Sequence, residues 1–434
     1  MAYYAIHINI MLDIKFIREN VALVKEGAKK KHIKVDVGRL VELDEERRQI
    51  RSLLDDKRAE QKRMSNTILL AKGEERQKHI ESMRYLKDGV NELNEKYKKI
   101  MEEWKALMLE VPNIPDISVP VGDGDEDNKE IFVWGEKPQF DFKPSAHHEI
   151  MTKLGMADFE RGTKVAGFRG WFLKDDGARL MWAIRRFVED RFMNREGFTP
   201  MIVPSLLRKE PFFGTGYLPQ GEDDLYKTQD KEYLAGTAEV ATMSFYMDEI
   251  IEKSALPIKF FAYSPAFRRE AGSYGKDEKG VFRVHEFEKY EQVVLCEASH
   301  EESVSQHEEL TANSEALLQE LGLHYHKVIN CGGDLGLGQV KKYDLEAWMP
   351  SEERFRETHS SSYFHDFQTR RLNIRYRDDD GSLRYVHSLN NTALAMPRIL
   401  THIVENYQQA DGTVRVPKVL VSYMGKEVIG AHAE

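Results

Sequence analysis

Phe267-Arg268-Arg269-Glu270, continued by Ala271-Gly272-Ser273-Tyr274-Gly275 and closed by Val284-His285-Glu286-Phe287-Glu288-Lys289, is the stretch from which the fold is read. It has the pattern of two strands joined by a long polar loop. The first strand ends in paired arginines and a carboxylate. The return strand carries Phe287 and, on the same alternation, Glu291. Arginine meets phosphate bidentately, an aromatic face meets a base, and a carboxylate accepts from an amine. On these residues alone a nucleotide site and a surface hairpin with ordinary charge decoration both stand, because no single short motif is decisive.

The chain around this stretch has 434 residues, 41% hydrophobic and 31% charged. Two or more globular domains with a polar, elongated part are expected. The two cysteines, Cys296 and Cys331, are too few for a disulfide framework or a cysteine-rich zinc site, and the reducing cytoplasm is the expected compartment. No apolar run approaches the roughly 20 residues of a membrane span, so no membrane partner is expected. Residues 1–10 read as an extension and make a poor signal peptide. The net charge of -10 excludes a globally basic nucleic-acid binder but leaves room for a local basic surface.

Working outward toward the N-terminus, Met11 to about Lys31 has helical spacing in Ile14, Ile17, Val21 and Val24. From about 41 to 110 the composition turns to Lys, Arg, Glu and Asp. A heptad seam runs through Met83, Leu86, Val90, Leu93, Tyr97, Ile100, Trp104 and Leu107. A weaker one runs through Ile50, Leu54, Lys57, Gln61, Met64 and Ile68, with a break at Ala71-Lys72-Gly73-Glu74. Two such helices form an antiparallel coiled-coil hairpin roughly 45 Å long, too long to pack inside a globule of this size, so it should project. A dimerising coiled coil is the competing reading; the tight turn at Gly73 favours self-pairing. Arg47, Arg48, Arg51, Lys57, Arg58, Lys62 and Arg63 on one helix and Lys96, Lys98 and Lys99 on the other suit either a solvated face or an arm gripping a nucleic-acid backbone.

After Val111-Pro112-Asn113-Ile114-Pro115 the pattern changes. A helix is expected over Ala178–Asn194, then a short strand, Met201 to Val203, closed by Pro204. Further strands are expected at 228–234, 259–263, 325–329, 341–348, 356–361 and 384–387, with helices at 300–321 and up to Asn406. Strands in runs with few intervening helices imply an α+β fold on an antiparallel sheet. No Walker loop or Gly-x-Gly-x-x-Gly appears, so the common parallel-sheet nucleotide folds lack support.

With these segments in hand, the chain from Met11 to about Gly425 resembles the bacterial-type seryl-tRNA synthetase family of class II. The resemblance rests on the 178–204 segment as motif 1, 260–291 as motif 2 and 390–406 as motif 3. It also rests on Gly236-Thr237-Ala238-Glu239, Asp366-Phe367-Gln368-Thr369-Arg370-Arg371 and Glu405-Asn406-Tyr407-Gln408-Gln409-Ala410-Asp411-Gly412. It implies an N-terminal tRNA-binding domain over 1–112 and a class II catalytic domain over 113–434. It implies ATP-dependent attachment of L-serine to tRNA(Ser) through a seryl-adenylate, with tRNA(Sec) as a second candidate acceptor, by a homodimer formed through motif 1.

The resemblance further implies roles for particular residues. Arg268 and Arg398 are the implied catalytic residues, on the α- and γ-phosphates. The implied serine-binding residues are Thr237, Ala238, Glu239, Arg268, Glu291, Asn390 and Thr392. The implied ATP-binding residues are Arg268, Arg269, Glu270, Val284, Phe287, Glu357, Thr358, His359, Ser360 and Arg398. Glu357 and Ser360 are implied to hold Mg²⁺ through ATP. The chain departs from the family at Asn391-Thr392-Ala393, Met396-Pro397-Arg398 and Thr358-His359. For His359 a position on the strand away from ATP is preferred. A zinc-dependent serine site is disfavoured by the cysteine count. Two rival readings remain: a class II-like ligase charging a carrier protein, disfavoured by the arm, and a non-catalytic tRNA-binding paralogue, disfavoured by the presence of both Arg268 and Arg398.

Overall fold

The computed structural model describes residues 12–430 except Ser273, Tyr274, Lys276 and Glu278. The 1–10 extension therefore lies outside the described residues. Contacts divide the chain between Ile114 and Pro115 into two units.

The N-terminal unit is helical. The single helix expected up to Lys31 is two, α1 (Ile14–Glu19) and α2 (Val21–Lys30). Asn20 leaves helical dihedrals between them, and its side-chain amide donates back to the Phe16 carbonyl at 3.0 Å, the competition that asparagine offers a helix. The long helices α3 (Val37–Leu70) and α4 (Gly73–Glu110) pair as a hairpin. Asp36 caps α3 by accepting from the Arg39 amide. Gly73 takes φ +58°, which lets the chain reverse through Ala71 and Lys72 alone. The heptad positions are the covered ones: Ile50, Leu54, Val90, Ile100 and Trp104 are buried, and Met64, Ile68, Met83 and Leu86 half-buried. Arg39 ties the two helices together with a bidentate pair to Glu103.

The second unit is built on an eight-stranded sheet: β1 (Lys129–Trp134), β2 (Phe198–Ile202), β3 (Ile258–Phe267), β4 (Glu286–Cys296), β5 (Tyr325–Ile329), β6 (Lys341–Met349), β7 (Arg354–His365) and β8 (His387–Ala395). Its spatial order is β1-β5-β6-β7-β8-β4-β3-β2. All neighbours are antiparallel except β2 and β3, which run parallel. The expected 384–387 strand is split: Leu383–Tyr385 pairs with Arg375–Arg377 in a separate small sheet, and β8 begins only at His387 and runs on through Asn390 and Thr392. The 228–234 strand is instead a small hairpin, Tyr226–Lys227 with Tyr233–Leu234, because Lys231 reverses the chain at φ +66°.

One face of the sheet is covered by α6 (His300–Glu320), which follows α5 (Asp176–Met193) in the chain, and by α7 (Met396–Asn406). Their Leu310, Leu317, Ile184, Phe187, Ile399, Leu400 and Ile403 share one core with Leu345, Ala347 and Leu389 of the sheet. The opposite face carries the candidate site.

Candidate active site

Strand alternation and two bulges decide what the open face presents. Along β4 every second side chain falls on it: Phe287, Lys289, Glu291. Opposite them on β8 stand Ala395, facing Lys289, and Thr392, facing Glu291, with the extra residue Ala393 absorbed by a bulge. On β7, Ser360 pairs with Asp344 of β6 while Glu357 pairs with Glu346. Thr358 is the extra residue of this second bulge. The bulge brings Glu357 to the same face as Ser360 and Ser362, where plain alternation would have turned it away.

Two adjoining cavities result. One is lined by Arg268, Glu270, Phe282, Arg283, Val284, Phe287, Glu357, Thr358, Pro397 and Arg398. The other is lined by Tyr217, Glu239, Glu291, Gln339, Ser360, Ser362, Phe364 and Asn390. Arg268, Lys289, Glu357 and Thr392 line both.

Arg268 leaves the end of β3. Its Nε donates to the Gly236 carbonyl at 3.1 Å, and its guanidinium lies 5.5 Å from the Phe287 ring centroid. Arg398, in the first turn of α7, donates to the Glu357 carbonyl at 2.9 Å and reaches its carboxylate at 3.0 Å. Burial alone would raise the Glu357 carboxyl, but Arg398, Lys342 and Arg268 together hold it down at about 2. Behind it Asp344 is pushed up to about 6 by burial, against the pull of Lys342. Glu270 accepts from Arg283 at 2.6 Å.

The second cavity is built of carboxylates held by neighbours. The Tyr217 hydroxyl donates to Glu239 at 2.9 Å and Gln368 donates to its other oxygen at 2.7 Å. Glu291 accepts from Thr237 Oγ1 at 3.3 Å and pairs with Lys289 Nζ at 2.5 Å. Ionised groups of both signs, part-satisfied within one concave site, can bind a zwitterion beside a polyphosphate.

Most of the sequence-predicted residues converge here, and three do not. The Arg269 side chain is exposed and donates to the Asp223 carbonyl at 2.9 Å, because the residue after Arg268 turns to the other side of the chain. His359 is buried off the open face, with Nε2 3.1 Å from the Ala393 carbonyl, and burial pushes it down to about 3. Its side chain thus lies on the strand and lines neither cavity. Ala238 is buried as the residue preceding the Glu239–Met243 helix and lines neither cavity. Thr237 reaches the site through Glu291. Sequence reasoning missed Lys289, which the period of two linking Phe287 to Glu291 contains. It also missed Tyr217, Phe282, Arg283 and Gln339, which come from loops with no local pattern.

The sequence matches the seryl-tRNA synthetase N-terminal domain over residues 11–115. It matches the class II tRNA synthetase core domain (G, H, P, S and T) over 224–407. A serine–tRNA ligase of Deinococcus radiodurans is 44% identical over 422 residues, covering 97% of this chain and 99% of the relative. One of Kosmotoga olearia is 44% identical over 426 residues, covering 97% and 100%. Among solved structures, the seryl-tRNA synthetase of Pyrococcus horikoshii complexed with ATP superposes with a TM-score of 0.89 at 38% identity, covering 98% of this chain and 100% of that one. The cytoplasmic serine–tRNA ligase of Naegleria fowleri in complex with AMP gives 0.85 at 33%, covering 96% and 98%. Two domain matches in the right order and full-length similarity to serine–tRNA ligases place this chain in the seryl-tRNA synthetase family.

Proposed function

We infer that the chain charges tRNA with L-serine in two ATP-dependent steps. Serine carboxylate attacks the α-phosphorus of ATP and pyrophosphate leaves. The 3′-terminal ribose hydroxyl of tRNA(Ser) then takes the seryl group from the adenylate. The observation that carries this reading is the pair of cavities meeting at Arg268: one with an aromatic face and arginines, the other with carboxylates, hydroxyls and an amide. A nucleotide fits the first, a small hydroxylated zwitterion the second, and the reacting atoms meet between them.

Arg268 stands at that junction and neutralises the α-phosphate and the serine carboxylate. Phe287 stacks on the adenine, Glu270 accepts from its amine, and Val284 walls the ring. Arg398 takes the γ-phosphate once its pairing with Glu357 is exchanged for it. Glu239 and Glu291, with Thr237, Asn390 and Thr392, read the ammonium and hydroxyl. Glu357 and Ser360 present a hard, ionised carboxylate and a hydroxyl side by side, a donor set that fits Mg²⁺ shared with phosphate oxygens. When bound, that ion neutralises charge on the phosphates. The lysines and arginines spaced along the α3 and α4 hairpin, which is close to neutral overall, grip the tRNA backbone. A second copy packs on motif 1, where Trp182 and Ile202 are exposed at 61% and 83%. The cytoplasm is the working compartment. Among the described residues no helix is long and apolar enough to cross a membrane.

Serine-dependent ATP–pyrophosphate exchange tests the reading. Exchange with serine and not with alanine is expected, by a discrimination of ~10⁴ for a site that hydrogen-bonds the hydroxyl. Absence of exchange from folded protein would refute it.

A further inference from the structure

Lys289 is a buried lysine at the junction of the two cavities, one strand step from Phe287 and one from Glu291. Its Nζ lies 2.5 Å from Glu291 Oε2 and donates to Thr237 Oγ1 at 3.3 Å. Thr237 in turn donates to the same Glu291 oxygen at 3.3 Å. The three side chains close a triangle on the wall of the second cavity.

Charge matching gives the triangle a purpose. Apart from Glu357, which is paired with Arg398, the cavity holds two carboxylates, Glu239 and Glu291, whereas an amino acid whose own carboxylate goes to Arg268 brings one ammonium. Glu239 is hydrogen-bonded by neutral partners, Tyr217 and Gln368, and is the carboxylate offered to that ammonium. The second carboxylate is surplus unless a cation balances it. We propose that Lys289 is the positioning residue that balances Glu291, so that the Glu291–Lys289–Thr237 triangle reads the substrate hydroxyl as a neutral acceptor while Glu239 takes the ammonium. This assignment rests on the serine reading of the site.

Titration of Glu291 follows the same geometry. Burial pushes its carboxyl up, the Lys289 ammonium pulls it down, Glu239 pushes it up and Thr237 helps to hold it down. Arg268 faces the same cavity from the end of β3. With Lys289 neutralised, burial and Glu239 act on Glu291 without their main opponent.

The test is exchange kinetics on the full chain and on Lys289→Met and Lys289→Arg, with L-serine and with L-2,3-diaminopropionate, whose second amine replaces the hydroxyl. Lys289→Met is expected to raise the serine KM ~10-fold or more while moving the ATP KM less than ~3-fold. It should shift the acid limb of kcat/KM for serine to higher pH and improve diaminopropionate relative to serine ~10-fold. Lys289→Arg should restore the acid limb and most of the serine KM, because it keeps the charge. Equal rises in both KM values, a rise in the ATP KM alone, or an unmoved serine KM and pH limb would each overturn the assignment. Activity of the unsubstituted chain reads the function separately. Its absence would remove the serine reading and this inference with it, whereas normal activity with any of those variant outcomes removes the inference alone.

Discussion

The two faces of the catalytic sheet are made by the same strands, one residue apart, and they differ in how their polar groups are satisfied. On the open face β4 presents Lys289 and Glu291, β7 presents Glu357 and Ser360, and β8 presents Asn390 and Thr392. On the covered face the neighbours are Gln292, Ser361 and Asn391, and all are neutral. Gln292 donates to Asn391 at 2.7 Å and to the Leu310 carbonyl at 3.1 Å, and accepts from Asn313 at 2.7 Å. Ser314 donates to Asn391, and Thr311 to Ser361. Helix α6 thus docks on the sheet through amides and hydroxyls that bond one another, with Asn391 Nδ2 left without a partner among the described residues. The open face instead keeps full charges, paired loosely enough to be traded for a ligand. Neutral networks cost little to bury once satisfied, whereas charges are expensive there and are retained where a ligand repays them.

If that contrast holds, a change on each face should fail in a different assay. The largest effect is expected from Arg268→Ala, which removes the cation at the junction of the cavities. Exchange should fall ~10³-fold or more, with tRNA binding and the thermal midpoint nearly unchanged. Weakened tRNA binding with normal exchange would break the comparison on this side. Gln292→Leu comes next, and its effect should be the reverse. It strands Asn313 Nδ2 and removes one donor from Asn391 Oδ1 in a fully buried site, at a cost of ~1–3 kcal/mol. A thermal midpoint several degrees lower is expected, with KM for serine and ATP within about twofold of the parent. A tenfold change in either KM without loss of stability would show that the covered face does more than hold α6.

The same contrast explains what could be read from sequence. The α3 and α4 hairpin is legible because a seven-residue period is local: Ile50 and Leu54, Ile100 and Trp104 announce their own burial. The open face was partly legible for the same reason, since Phe287 and Glu291 share the period of two. Glu357 was not legible from periodicity. The bulge at Thr358 inverts the alternation, and only family resemblance placed Glu357 at the site. His359, on the regular side of the bulge next to Ser360, falls on the covered side by plain alternation. Arg269 looked equivalent to Arg268 as a dipeptide, yet neighbours in an extended chain point to opposite sides. Tyr217 and Gln339 reach the site from loops far apart in the chain, where tertiary packing alone sets their position. The parallel pairing of β2 with β3 likewise depends on where α5 and the long connection deliver the chain, which no window of residues encodes.

The smallest effect is expected at the outer edge of the sheet, where charge is present but no ligand awaits it. His326 of β5 stacks on Phe355 with centroids 3.9 Å apart, and its two ring nitrogens lie 2.7 Å from Glu130 and 2.9 Å from Glu346. Burial would lower the imidazolium, but the two carboxylates win and raise it above its ordinary value. A group whose folded value is raised contributes stability that is complete below the unfolded value, about 6.5, and that fades as pH rises through the folded value. His326→Gln should therefore lower the unfolding free energy at pH 5 to 6 and converge on the parent above the raised folded value. Glu130 is 53% exposed, so solvent screening limits the difference to roughly 0.5–1 kcal/mol. Paired chemical denaturation curves across that range measure it, with exchange kinetics unchanged at pH 7.5. A gap that instead widened toward alkaline pH would mean that the neutral ring, stacked on Phe355, supplies the stabilisation. Charge at this edge would then be incidental, and the open face would keep its ionised groups only where the two cavities lie.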